Sequence, residues 1–255
     1  MNARSCLVSS VRLFVFALVA CGPGFRINDY PTPVSLYNAG VAEYTKGNWD
    51  HAVTALDRVT NLLGPRDTLL PRAELLLGRA YEKKKSFLLA AATYKRLFDD
   101  FPEDSLADDA LLGVADANAQ SWRGPEYSAE HGITSLESYS LLQRLFPNSP
   151  LVKRAQEGER RVQEALAQKD LRNGVFYMKR GAYESALIPL KDAVDNFPST
   201  AAAREAMIKM VEVYRNPKVK YADDARDMCK RLRGTYAGDP GVVKACAGIP
   251  VDTTK

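Results

Sequence analysis

The chain of 255 residues is poor in the groups that carry chemistry. It has two histidines, His51 and His131, and four cysteines. Neither histidine stands at ligand spacing from a cysteine, so no metal site is expected. There is no Gly-rich phosphate loop, no Gly-x-Ser-x-Gly elbow and no Cys-x-x-Cys, and with them go the usual carriers of nucleotide, acyl-transfer and dithiol chemistry. Carboxylates gather at Glu103, Asp104, Asp108 and Asp109, but they stand where a helix begins and face the positive end of its dipole. The chain therefore reads as a non-enzyme without a cofactor. An excess of one charge is also missing: the formal net charge is +4, and losing Arg4 and Arg12 with an amino-terminal segment that holds no acid lowers it to +2. That is no footprint for nucleic acid. Strand-like alternation is absent, and the apolar run at residues 13–20 would rise only ~12 Å as a helix, against about 30 Å of hydrocarbon in a bilayer.

What the chain does have is a repeat. Phe-Pro closes an amphipathic stretch at Phe101-Pro102, Phe146-Pro147 and Phe197-Pro198, and proline ends a helix because it lacks the backbone donor and disfavours helix in the residue before it. Two units align without a gap: Gly78, Tyr81, Phe87, Ala90, Tyr94, Leu97 and Pro102 against Gly174, Tyr177, Tyr183, Ala186, Leu190, Ala193 and Pro198. This pattern resembles the tetratricopeptide repeat, two antiparallel helices per unit of about 34 residues. Small residues at helix crossings and large ones between them give the packing such pairs need. A first unit carries Gly40, Gly47, Trp49, Ala52, Leu56 and Val59 and stops at Gly64-Pro65. The third is lengthened between Gly113 and Ser135, where Trp122-Arg123-Gly124-Pro125 and Glu130-His131-Gly132 read as an inserted loop. A helix from Leu151 to about Lys179 is longer than its counterparts, and a fifth unit runs from Thr200 to Gly234 with a turn at Asn216-Pro217. The expected fold is all-α: a solenoid of about five helix pairs over residues 34–233, with a tail at residues 234–255.

The amino end reads as an export signal over residues 1–20, with basic residues ahead of a short apolar core. Leu18-Val19-Ala20-Cys21 resembles the bacterial lipoprotein box, which implies cleavage before Cys21 and acylation of that cysteine with diacylglyceryl and an amide-linked chain such as palmitate. More than one chain anchors stably. Residues 21–33, polar and holding three prolines after Cys21, read as a flexible linker. Gly22 is not the Asp that holds enterobacterial lipoproteins back from the outer membrane. Of the remaining cysteines, Cys6 falls in the signal. Cys229 and Cys246 either pair in an oxidising compartment or remain a core thiol and a free tail thiol.

Signal, lipid cysteine, five helix pairs, an enlarged third unit and an elongated fourth together resemble the BamD family of the outer-membrane β-barrel assembly machinery. The residues that carry the match are Leu18 to Cys21, Leu76 to Pro102, Phe146-Pro147-Asn148-Ser149-Pro150 and Gly174 to Ser199. The resemblance implies a lipid-anchored scaffold on the periplasmic face of the outer membrane. Its amino-terminal units would take the carboxy-terminal targeting segment of unfolded barrel proteins, and its carboxy-terminal units would dock a BamA-like insertase. By repeat register, Tyr37, Val41, Tyr44, Leu75, Arg79 and Lys83 face the inner surface, suited to an aromatic peptide with a terminal carboxylate. For the three apolar positions of unit one the competing reading is packing between repeats; for Arg79 and Lys83 it is a solvated face. Arg204, Glu205, Tyr214 and Arg215 are the expected insertase contacts, from their place on the fifth unit. Lys83-Lys84-Lys85 and Lys230-Arg231-Leu232-Arg233 stand either as solvated faces or as contacts to anionic headgroups or a partner. The rival reading is another lipid-anchored tetratricopeptide adaptor serving pilus biogenesis or envelope maintenance.

Overall fold

The computed structural model describes residues 25–250. After a short 3-10 turn at Ile27–Asp29, ten helices follow in five antiparallel pairs: α1 (Pro33–Lys46) with α2 (Trp49–Leu62), α3 (Leu70–Lys83) with α4 (Phe87–Asp100), α5 (Ala107–Ser121) with α6 (Glu130–Leu145), α7 (Val152–Lys179) with α8 (Tyr183–Asn196), and α9 (Ala201–Tyr214) with α10 (Ala222–Thr235). A final short helix, α11 (Pro240–Ala245), lies on α9 and α10. Among the described residues every regular element is helical. Each helix packs on the next in sequence, and the odd-numbered helices also touch one another from α1 through to α9. The layer whose members touch is the shorter one, so the stack curves toward α1, α3, α5 and α7 and makes that side the inner surface.

One contact recurs inside the pairs. A Cβ built on Gly40 would fall closer than 3.0 Å to Leu56, one on Gly78 to Tyr94 and one on Gly174 to Leu190. Each partner stands sixteen residues on, as the eighth residue of the second helix of its pair. The large side chain is seated on bare backbone, which lets the two helices approach. In the third pair the lengthened turn moves the partner: Tyr139 of α6 fills the notch at Gly158 of α7, and Tyr94 also covers Gly113 of α5. Tyr94 and Tyr139 are the largest fully buried side chains of the core.

The Phe-Pro signals do what the repeat implies. Phe101, Phe146 and Phe197 are the C-cap residues of α4, α6 and α8, with φ/ψ of −134°/57°, −123°/58° and −132°/52°. Tyr236 caps α10 at −127°/47°, so the fifth unit ends the same way although no proline follows it. The pattern fades in sequence at Gly234 only because Tyr replaces Phe and Ala237 replaces Pro.

The structure departs from the sequence-based expectations in three places. The linker is not free up to residue 33: Phe25, Ile27 and Tyr30 pack on the cluster of Leu36, Ala55, Val59 and Ala73, and Phe25 stacks on both Tyr30 and His51 at 5.5 Å. Glu130, His131 and Gly132 begin α6 rather than ending a loop, because Gly132 is the small residue against which the Trp122 ring lies. The tail is not loose as far as residue 250. Asp239 caps α11 by accepting from the Gly241 and Val242 amides, while Val242, Ala245 and Cys246 join the core of unit five. Of the two alternatives left open for Cys229 and Cys246, the structure shows the pair: they form a disulfide with a Cα–Cα distance of 5.6 Å. Cys229 is the eighth residue of α10, the position held by Leu56, Tyr94 and Leu190 in their helices. The last unit thus places a covalent bond where the others place a large side chain. Cys21 and residues 1–24 lie outside the described residues.

The notch and the disulfide can each be tested by substitution. Gly78→Ala should lower stability to denaturant by about 1–3 kcal/mol, since the Tyr94 ring must be displaced, whereas Gly64→Ala, with nothing within 4 Å, should stay within roughly 0.5 kcal/mol; equal losses in urea titrations would discredit the notch. Replacing Cys229 and Cys246 together with Ala should cost about 2–4 kcal/mol and raise amide exchange in α11 above that in α3.

Candidate functional site

The inner faces of α3, α5 and α7 form a continuous groove. Its narrow end is lined by Leu75, Arg79, Glu82, Asp109, Asp116 and Arg154. Beyond Asp116 and Arg154 it widens into a cavity of about 510 Å³ bounded by Trp122, Tyr139, Arg161 and Val162. Helical spacing produces the lining, because Leu75, Arg79 and Glu82 lie one turn apart along α3, as do Arg154, Gly158 and Arg161 along α7.

The acids of the groove are each engaged. The Tyr94 hydroxyl donates to Glu82 at 3.1 Å and the Tyr139 hydroxyl to Asp116 at 2.6 Å. Arg154 pairs with Asp116, and Arg79 pairs with Asp109 at 3.0 Å. Burial, and then the adjacent carboxylates, push both phenols well above the ordinary tyrosine range. They remain proton donors at any physiological pH. Burial likewise raises the Glu82 carboxyl, against the hydrogen bond from Tyr94 that favours its charged form. Arg161 is exposed and makes no ion pair among the described residues, and the indole N–H of Trp122 is buried without a hydrogen-bond partner. The groove thus presents the exposed Arg161 guanidinium beside the Trp122 ring, which is chemistry suited to an anion carried on an apolar chain.

The inserted segment forms one wall and is held by the extra length of α7. Lys169 donates to the Pro125 carbonyl at 3.2 Å and to the Tyr127 carbonyl at 2.7 Å. Arg172 pairs with Glu126, and Arg123 lies over the Tyr127 ring at 4.4 Å. A helix of ordinary length would end before it reached this segment.

Of the inner-face residues expected from the register, Leu75 and Arg79 meet in the groove, although Leu75 is only 7% exposed and belongs mainly to the core with Ala91 and Tyr94. It is not the open contact expected, because α4 and α5 close over its side of α3. Tyr37 and Tyr44 pack between the first two units, and Tyr44 meets Trp49 edge-on at 5.1 Å. Val41 is half-buried beside them. Lys83 is exposed at the end of α3 and lies away from the groove lining. Asp116, Tyr139, Arg154 and Arg161 were not among the expected site residues, and Trp122 was singled out only as part of the inserted loop. Only the alignment of Tyr139 with Tyr94, once the insertion is discounted, offered a signal for one of them.

On unit five, Arg204 pairs with Asp239 at 2.9 Å and Arg215 donates to the Ala245 carbonyl at 2.7 Å, so both hold the carboxy-terminal segment. Glu205 lies beside Lys209 on a cavity of about 520 Å³ between α9 and α11. Tyr214 and Arg215 line a second cavity of about 490 Å³ with Lys220, Arg226, Ile249 and Pro250, and among the described residues no carboxylate lines it. Among the described residues no group of His, Cys, Asp and Glu could hold a metal, and no helix is long and apolar enough to cross a membrane.

One carboxyl on α7 reports on pH. Burial first, and then the charge of Asp192, push Asp170 up from 3.8 to about 6, while Lys169 opposes the shift. The folded state therefore holds this proton more tightly than the unfolded chain does, and the group's contribution to stability falls as pH rises from about 4 to about 6. Asp170→Asn should raise the thermal midpoint at pH 7.5 and leave it unchanged near pH 3.5. A gain of equal size at both values would show that charge burial is not the cause.

The comparisons with known proteins agree with this architecture. A family model described as an outer membrane lipoprotein, YfiO, matches residues 30–232. The outer membrane protein assembly factor BamD of Pasteurella multocida is 25% identical over 216 residues, covering 80% of this chain and 82% of that protein. BamD of Haemophilus influenzae is 23% identical over 219 residues, with 81% and 83% covered. Among solved structures, a tetratricopeptide protein of Thermus thermophilus covers 84% of this chain and 97% of its own at a TM-score of 0.38 and 19% identity, and the TPR2AB domain of yeast Sti1 reaches 0.43 at 12%, with 84% and 83% covered. Since the family match begins before α1 and ends within α10, taking in all five helix pairs, the chain belongs to the YfiO outer membrane lipoprotein family, the family of the BamD assembly factors.

Proposed function

We propose that this chain serves outer membrane protein assembly as a non-enzymatic scaffold, anchored through an acylated Cys21 on the periplasmic face of the outer membrane. It holds the carboxy-terminal segment of an unfolded barrel protein on its inner surface and a BamA-like insertase on unit five. Family membership supports the process. The groove supports the mode of action, because it is open, its wide part sets Trp122, Tyr139 and Val162 beside the guanidinium of Arg161, and the carboxylates of its narrow part are engaged by Tyr94, Arg79, Tyr139 and Arg154. The single observation that carries the reading is the unpaired Arg161 beside the wall of Tyr139, Trp122 and Val162. A terminal carboxylate fits the guanidinium, and an aromatic last residue fits the wall.

Relative to the register-based expectation, the proposed peptide site lies farther along the stack, over units two to four rather than one and two. Tyr37 and Tyr44 are spent on packing, and the wider part of the groove opens only past Asp116. For the insertase, the basic cavity around Tyr214, Arg215, Lys220 and Arg226 is the proposed docking place, and an acidic segment is its natural complement. Arg204 contributes indirectly by fixing Asp239, the N-cap of α11.

A titration of the mature chain with an aromatic-ended peptide checks the groove. Removing the last aromatic residue from the peptide, or replacing Arg161 by Glu in the protein, should each weaken binding by roughly tenfold or more. Affinities that do not change in either case would remove the groove from the account.

A further inference from the structure

The two turns that join α1 to α2 and α3 to α4 share one edge of the stack, and that edge differs from its opposite. Lys84 bridges the two turns by pairing with Asp50 at 2.5 Å. Lys83 and Lys85 flank it, exposed and without an ion pair among the described residues. Immediately after them, at the start of α4, Leu88 is 56% exposed and Leu89 54%, an unusual pair of aliphatic side chains to leave in water beside lysines. The opposite edge, where α4 turns into α5, carries Asp99, Asp100, Glu103 and Asp104.

The chain enters the fold at the lysine-bearing edge. Phe25 is pinned by stacking on His51, and His51 follows Asp50 in the first turn of α2. Four residues separate Phe25 from Cys21, which at full extension span at most about 14 Å. Acyl chains on Cys21 would thus hold this edge within reach of lipid headgroups.

We propose that the α1–α2 and α3–α4 turns lie against an anionic lipid surface, with Lys83 and Lys85 over the headgroups and Leu88 and Leu89 entering the outer acyl region. The range of the tether rests on the anchor proposed above; the orientation rests on the patch itself. Acyl chains supply the affinity, while the lysines and leucines select which edge faces the membrane. The acidic edge is then turned away by repulsion, and the groove is held at a fixed angle to the bilayer instead of tumbling on its leash.

The test uses the mature acylated chain in vesicles whose lipids carry bromine on the acyl chains. A fluorophore on Leu89→Cys should be quenched several-fold more than one on Glu103→Cys in phosphatidylglycerol vesicles, and the difference should shrink when Lys83 and Lys85 are both changed to Glu. Equal quenching at the two positions, or none at Leu89→Cys, overturns the proposal. A second arm removes the anchor: the Cys21→Ser chain should float with phosphatidylglycerol vesicles and not with phosphatidylcholine vesicles at low salt. Its partitioning should fall about thirtyfold in the double lysine variant. Failure to float on either lipid overturns the patch even when mass spectrometry of the wild-type protein finds acyl chains on Cys21. Their absence from Cys21 refutes the anchor instead, and leaves the flotation result to decide the patch.

Discussion

A large side chain seated on bare backbone, found inside three of the five helix pairs and again between the third pair and the fourth, is the interaction on which the rest of the molecule depends. Gly40 under Leu56, Gly78 under Tyr94 and Gly174 under Leu190 bring two helices together at the same height in three different units. The odd-numbered helices touch one another in turn and so form a layer of their own. No single pair buries enough apolar surface to stand alone, so each notch stabilises its neighbours as well as itself. At the end of the stack, where no sixth pair exists among the described residues to cover the last one, α11 and the disulfide between Cys229 and Cys246 close the structure.

The groove is a by-product of these contacts that has become chemically specific. Tyr94 and Tyr139 plug the core with their rings and present their hydroxyls to Glu82 and Asp116 at the inner surface. The same residues therefore fix the helix crossings and satisfy, by hydrogen bonds, two of the acids that line the channel. With Asp109 and Asp116 also bound to Arg79 and Arg154, the carboxylates of the groove are occupied, which is why the proposed ligand is an anion. The inserted segment and the doubled length of α7 belong to the same device, since Lys169 and Arg172 reach the insertion only from the second half of that helix.

Much of the fold was legible in the chain. Phe-Pro marked three helix ends, and all three phenylalanines adopt nearly the same cap conformation. The glycine positions marked the crossings, and the long fourth unit was visible as an uninterrupted run. The fourth cap, Tyr236, was missed because the proline beside it is gone, although the backbone there repeats the conformation. Less of the site could be read. Counting placed Leu75 and Arg79 on the groove and left Tyr37 and Tyr44 between an open face and packing between repeats, which the structure decides for packing, but it could not tell that Arg204 and Arg215 would hold the carboxy-terminal segment. Which contact a side chain makes depends on elements distant in sequence: Asp116 meets Tyr139 across the lengthened turn and Arg154 across a further helix.

The sequence by itself determined the class, the number of helix pairs and the ends of most helices, because each of these follows from local preference: proline stops, small residues at crossings, and period. Tertiary structure alone decided that Cys229 and Cys246 meet, that Phe25 is pinned beside His51, that residues 235–250 are part of the fold, and that Arg161 makes no ion pair among the described residues while Arg154 pairs with Asp116. Those outcomes depend on distances between residues far apart in the chain, and such distances exist only once the stack has set the rotation from one pair to the next.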